Sequence, residues 1–364
     1  MSTSTPPHIP HARDVQRAAD QLWHAVTGGD EYAATEVVLR ILDEGPPPES
    51  VLLDVIAPVQ GRVGEEWAAN RISVAQEHAA TAINERAVAA VSVHPVVRTT
   101  ATRGRIAVAC VDGEWHALPA RLLAEVLKLR GWQVDYFGAQ VPTAHLIAHL
   151  HNARTDAVAL SSSIATRLPT AHAAITACQA VGVPVLVGGA AFGPGGRYAV
   201  LLGADAWAAN ARAAADRLAQ SPLPRPQPDH QQFDDLPHLA DQEYTLVTRN
   251  SVTLVRTVFS VLEDAFPTMR SYSSDQRERT AEDLAHMVEF LATALYLDDE
   301  ELFTGFLTWT AQILEARDVS ARSLPPALKL LARELQDFPR AVRILKAATC
   351  ALTTAPSTVA GTTA

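Results

Sequence analysis

Apolar positions recur at helical spacing along the first part of the chain. Residues 14–26, 31–42 and 49–67 each place them three and four apart, and the runs are broken by Gly28-Gly29 and by Gly45 with the three prolines after it. Ser73-Val74-Ala75-Gln76 is a capping-box pattern, in which the first side chain and the fourth satisfy each other's backbone N–H groups. It opens a further helix over 77–91, where alanines at 75, 79, 82, 89 and 90 allow a neighbour to pack close. A four-helix bundle over residues 10–95 is the prediction.

From residue 104 the period changes. Residues 105–111 form an apolar strand, 119–130 a helix stopped by Gly131, and 132–137 a second strand. A helix over 142–153 leads to a strand at 156–162. A helix over 170–181 ends at Gly182 before a strand at 184–187, and a short strand at 205–208 precedes a helix over 210–219. Such alternation predicts a flavodoxin-like, doubly wound parallel sheet of five strands over 104–220. Pro222, Pro224, Pro226 and Pro228 then make a stiff linker. Residues 235–350 return to helical spacing, with helices at 244–266, 276–297, 300–317 and 324–335 and a shorter stretch to 349. The stretch 281–297 is apolar on nearly all faces (Leu284, Met287, Val288, Phe290, Leu291, Leu295), which places it in the middle of a domain. The tail from Thr353 is small and polar, and disorder is expected there. The fold class is therefore α/β plus all-α, in three segments.

Composition narrows the function classes. With 364 residues, 48% hydrophobic and 19% charged, the chain reads as soluble and globular, and a net charge of -10 argues against a dedicated surface for DNA or anionic membranes. Cys110, Cys178 and Cys350 are too few and too far apart for a disulfide framework or a paired-cysteine metal site. Neither a secretory signal pattern nor an apolar run of transmembrane length is present, so a cytoplasmic protein is expected.

In an open α/β sheet, ligands bind beyond the carboxyl ends of the strands, where strand order reverses. Three unusual stretches fall there: Asp112-Gly113-Glu114-Trp115-His116-Ala117-Leu118-Pro119, Ser161-Ser162-Ser163, and Gly188-Gly189. Glu114-x-His116-x-x-Pro119, followed by Ser161-x-Ser163 and Gly188-Gly189, resembles the Asp-x-His-x-x-Gly, Ser-x-Leu, Gly-Gly signature of cobalamin-binding domains. Pro119, Glu114 and Ser163 depart from that signature. The resemblance implies that His116 is the lower ligand of cobalt and that the serines and glycines line a slot for the nucleotide tail. Imidazole is a good metal donor, and a carboxylate two residues earlier can fix its other nitrogen.

The first segment is similar to the cap of light-sensing cobalamin transcription regulators, through Gly64-x-x-Trp67 and the run Ile72-Ser73-Val74-Ala75-Gln76-Glu77-His78-Ala79-Ala80. That likeness implies that Trp67, Glu77 and His78 cover the upper face, where an adenosyl group sits. Those regulators carry a histidine directly after this tryptophan; here Ala68 stands in its place, so no bis-histidine product is expected through this position. The first helix begins close to the start of the chain, so direct DNA binding is not expected. Cap, Rossmann-like domain and a globin-like helical third segment together resemble the photocobilins, light sensors that pair adenosylcobalamin with a bilin such as biliverdin. That resemblance implies a signalling protein without catalytic residues, a homodimer, and an unidentified downstream partner. For the bilin the candidates are His286 on the apolar helix, Arg249, Arg256 and Arg270 for its propionates, and Tyr272 and Trp309 as walls. Cys350 lies past the main helices, which favours noncovalent attachment. Two other readings stay open: a corrinoid methyl carrier of a methyltransferase system, and a haem sensor with His286 as axial ligand.

Overall fold

The first helix shows its buried side directly: in α1 (His11–Thr27), Ala18, Leu22 and Val26 are buried one turn apart. The computed structural model describes residues 11–226, 236–317 and 319–354, in two units, Met1–Gln231 and Gln232–Ala364. Helix α2 (Glu31–Asp43) is capped by the Asp30 side chain, which accepts from Ala33 N at 2.9 Å. Helix α3 runs as Pro48–Ser50, a π-helical stretch Val51–Ile56, and Ala57–Ala68. Pro58 lacks the N–H that an α-helix would donate to the Asp54 carbonyl, and the wider turn ahead of it absorbs that loss. Helix α4 (Val74–Val93) opens on the expected capping box, with both the Ser73 and Gln76 bonds present.

The sheet that follows has the order β2-β1-β3-β4-β5, and every neighbouring pair is parallel. Its strands are β1 (Arg105–Cys110), β2 (Gln133–Gly138), β3 (Ala157–Ser161), β4 (Val185–Gly188) and β5 (Ala206–Ala208). Helices α5 (Ala117–Leu129), α6 (Thr143–Asn152), α7 (Leu168–Ala180), α8 (Arg197–Leu201) and α9 (Ala211–Gln220) connect and flank them. This is the flavodoxin-like order, and it reverses between β1 and β3. β3 is buried along its whole length and β1 nearly so, as their continuous apolar sequences require.

Cap and sheet share one core. Leu52, Val88 and Val91 of the cap belong to the same buried cluster as Leu118, Leu122 and Val126 of α5 and Ile106 and Val108 of β1. Ion pairs border this contact. Glu49 of α3 accepts from Arg130 at 2.7 and 2.9 Å and from Arg212 at 3.3 Å. Arg130 also reaches Asp216 at 2.7 Å, and Arg212 reaches Asp54 at 3.0 Å.

The second unit comprises α10 (Glu243–Arg249), α11 (Ser251–Ala265), α12 (Ser274–Leu297), α13 (Glu300–Ala316), α14 (Leu324–Glu334) and α15 (Pro339–Thr354). The single helix expected over 244–266 is two. Asn250 turns its side-chain amide onto the Leu246 carbonyl at 2.9 Å, and its backbone leaves the helical region at φ -99, ψ 7. The last helix outruns the expected end at 349, so Thr353 is helical rather than disordered; the tail beyond residue 354, like Pro228, lies outside the described residues. Helix α12 buries Leu284, Met287, Val288, Leu291 and Leu295, but His286 and Glu289 are exposed, so it is not enclosed on every side. The buried Glu243 caps α15 from a distance, accepting from Arg340 N at 3.0 Å and Ala341 N at 2.8 Å.

The Arg130 guanidinium holds the Glu49 carboxyl below its ordinary value of 4.5, against the opposing push of partial burial. That contribution to stability is complete above about pH 4.5 and is lost as the pH falls through the lowered value. Arg130→Ala is expected to cost about 1 kcal/mol and to flatten the acid side of the stability profile, read by hydrogen exchange in α3 and α5.

Candidate functional site

The loop leaving β1 turns at Gly113, with φ +78, and the Arg167 guanidinium packs 3.3 Å from where a Cβ would stand. Glu114 then points inward and is completely buried. One of its oxygens, Oε1, accepts from His116 Nδ1 at 2.6 Å and from His116 N at 2.9 Å. The other, Oε2, accepts from Ser162 Oγ at 3.2 Å, Ser163 N at 2.6 Å and Ile164 N at 3.0 Å. One carboxylate thus ties the loop after β1 to the loop after β3, across the point where strand order reverses. Burial pushes the Glu114 carboxyl up, but the hydrogen bonds from the His116 ring and from the His116, Ser163 and Ile164 backbones outweigh it and hold it at about 2.

An ionised carboxylate only accepts, so the proton of a neutral His116 ring sits on Nδ1 and the Nε2 lone pair is left open. The ring is 35% exposed, and although His116 is the N-cap residue of α5 its side chain makes no capping bond. Beneath it, burial and then the Glu114 charge push the Cys110 thiol up to about 12, so it stays a thiol and is no competing donor. Trp115 stacks on His116, with centroids 4.0 Å apart and planes 27° apart, and meets the His78 ring edge-on at 6.1 Å. His78 in turn pairs through Nδ1 with Glu77. Glu77, His78, Trp115, His116 and Glu114 are therefore brought together, cap against rim.

Beside this cluster lies a cavity of about 690 Å³ between the cap and the carboxyl ends of the strands. The cap contributes Leu53, Ala57, Gln60 and Gly61, the strand ends Ser161, Gly188, Gly189 and Ala208, α5 Leu118 and Pro119, and α9 and its N-cap contribute Arg212 and Asn210, among others. Gly189 has φ +104, and a Cβ there would stand 2.1 Å from the Ser162 carbonyl oxygen, so the loops after β3 and β4 pack closely only because it is glycine. Pro119, where the cobalamin-binding signature has glycine, sits in the first turn of α5, where its missing N–H costs no helical bond. Trp67 lies half-buried near the end of α3, two turns from Gln60 on the same face, and the intervening Gly64 leaves open space there. An open imidazole nitrogen, a small-residue cavity and a gap in the cap fit a corrinoid held from below by His116.

Sequence reasoning missed several groups. Ser162, not Ser161 or Ser163, supplies the hydroxyl that meets Glu114, while Ser163 contributes its backbone N–H and Ser161 lines the cavity. The run of three serines was the signal, but which one faces inward depends on where β3 ends. Gln60, Asn210 and Arg212 also line the cavity without any motif to mark them.

In the second unit the candidates are more scattered. Arg249 and Arg256 are exposed on α10 and α11, and Arg270 is exposed and paired with Asp264 at 3.2 Å. Tyr272 packs edge-on against Phe266 at 6.5 Å. Phe290 and Phe306 stack at 3.8 Å between α12 and α13. His286 and Trp309 lie one turn from that stack, at the same level of the helical hairpin; both are exposed, Trp309 by 46%. Burial raises the neighbouring Asp283 carboxyl, an effect the His286 charge opposes. Cys350 is exposed on α15.

Comparison with known proteins places the first unit. Residues 18–92 match a family model described as a B12 binding domain, and residues 104–218 match a second one of the same description. These matches support a cobalamin-binding family. Two repressors of Myxococcus xanthus are similar over this region: the HTH-type transcriptional repressor CarA, 30% identical over 203 residues (52% of this chain, 62% of that protein), and the HTH-type transcriptional repressor CarH, 29% identical over 191 residues (51% and 60%). The match spans less than two thirds of either repressor. Among solved structures, the monomethylamine corrinoid protein of Methanosarcina barkeri shares the fold, with a TM-score of 0.50 and 20% identity over 56% of this chain and 98% of that one. No helix among the described residues is long and apolar enough to cross a membrane.

Glu114→Gln removes the charge that orients His116, and it is expected to weaken cobalamin binding about 10- to 100-fold. His116→Ala is expected to shift the spectrum of bound cobalamin to a base-on or water-ligated form, as absorption titration would show.

Proposed function

We propose that this chain is a cytoplasmic light-responsive signalling protein that holds adenosylcobalamin, with His116 as lower cobalt ligand. The observation that carries the reading is the Glu114–His116 pair, which leaves Nε2 open at the strand-order reversal beneath a helical cap. Bound adenosylcobalamin supplies a cobalt–carbon bond that light breaks. The chain's residues do the rest. Glu114 orients the imidazole, Ser161, Ser163, Gly188 and Gly189 make room for the nucleotide tail, and Trp67, Glu77 and His78 contact the upper ligand from the cap. Trp67, Glu77 and His78 would hold the cap through that upper ligand, so the population of cap–sheet arrangements would depend on whether it is bound. A homodimer contact passes that change to a downstream protein.

The second unit is proposed to hold biliverdin noncovalently, in a globin-like arrangement. His286 and Trp309 on the α12–α13 hairpin supply the polar contact and one wall, and Arg256 and Tyr272 complete the set. Biliverdin loading is then expected to give a broad red-region band that His286→Ala weakens. Haem loading with a Soret band lost in His286→Ala would replace this reading with a haem sensor.

The likeness in fold to a corrinoid protein favours a second reading, a methyl carrier that uses the same His116. Protein loaded in darkness with adenosylcobalamin and then illuminated is expected to change its absorption and its hydrodynamic size. A spectrum indifferent to light, with demethylation of bound methylcobalamin by a thiol acceptor, would replace the sensor with the carrier.

A further inference from the structure

A chain of hydrogen bonds runs through the cap from the cavity wall to Glu77. Glu77, Thr81 and Asn84 lie at i, i+4 and i+7 on one face of α4, opposite Gln60 of α3. Asn84 Nδ2 donates to Gln60 Oε1 at 2.8 Å, Gln60 Nε2 donates to Thr81 Oγ1 at 2.8 Å, and Thr81 Oγ1 donates to Glu77 Oε1 at 3.0 Å.

The direction of this chain is fixed from one end. A carboxylate at Glu77 only accepts, so the single Thr81 proton must go to it. The Thr81 oxygen must then accept from the Gln60 amide nitrogen, which turns the Gln60 carbonyl toward Asn84. Asn84 is fully buried, and its Oδ1 has no partner among the described residues. A buried acceptor left unmatched is costly, so this polar seam is no solvated helix face. Its other side meets the cavity, because Gln60 is part of the cavity wall. Both oxygens of Glu77 are thereby engaged, Oε1 by Thr81 and Oε2 by His78.

We infer that Thr81 and Gln60, backed by Asn84, are positioning residues that hold the Glu77 carboxylate in the orientation that selects a hydroxyl-bearing upper ligand over a methyl group. The inference rests on the reading above in which Glu77 contacts that ligand. Without the Thr81 bond the carboxylate is held only through Oε2, by the neighbouring His78, so Oε1 loses its fixed direction and the preference for hydroxyl donors falls.

The test is the ratio of affinities for adenosylcobalamin and methylcobalamin, measured on the full chain in darkness. Thr81→Val and Gln60→Leu are each expected to lower that ratio about fivefold or more, toward the value for Glu77→Gln. Thr81→Ser keeps the hydroxyl and is expected to keep the ratio. The double variant is expected to lose little more than either single one, because both cut the same chain. A wild-type ratio in Thr81→Val and Gln60→Leu, with Glu77→Gln reduced, would overturn the positioning role alone. A wild-type ratio in Glu77→Gln would overturn the reading of Glu77 and this inference with it.

Discussion

A single buried carboxylate organises the rim of the sheet. Glu114 accepts five hydrogen bonds, from a histidine ring, a serine hydroxyl and three backbone N–H groups. Its own carbonyl accepts from Gln140 N in the loop after β2. Three loops at the strand ends therefore converge on one residue. Burying a charge is unfavourable unless it is matched bond for bond, and here the matching also sets which nitrogen of His116 remains open. The chemistry assigned to the histidine follows from the satisfaction of its neighbour.

The cap is joined to this rim in two ways with different physical characters. A shared apolar core under α3, α4 and α5 supplies non-directional cohesion, and ion pairs around Glu49 and Arg130 fix how the cap sits. Near the cavity the contacts become sparse and specific, with Trp115 between His116 and His78 and an amide–hydroxyl chain behind Glu77. The interface is therefore cohesive at its base and polar at its mouth.

The parts of the fold visible in the sequence were those with a local cause. Glycines at 131 and 182 stopped helices where a positive φ was needed, and the Ser73–Gln76 box started α4. The break at Asn250 was missed because a side chain competing for the Leu246 carbonyl leaves the apolar period unchanged. The apolar run over 281–297 predicts an enclosed helix, yet His286 on it is exposed beside the buried Met287, since neighbouring helical residues point about 100° apart. Within the site, Glu114 and His116 were legible because two residues of one loop must act together. Gln60 was not, because a polar residue on an amphipathic helix looks the same whether it faces water or a cavity.

The amino-acid order alone determined most of the elements, their succession in a flavodoxin-like sheet between helical segments, and the placing of the Glu114, serine and glycine stretches at strand ends, because each follows from a local pattern along the chain. The choice of Ser162 over its neighbours and the meeting of Gln60 with Thr81 and Asn84 were decided only in three dimensions. Those contacts join residues more than twenty positions apart, and their geometry depends on how cap and sheet pack, which no local pattern encodes.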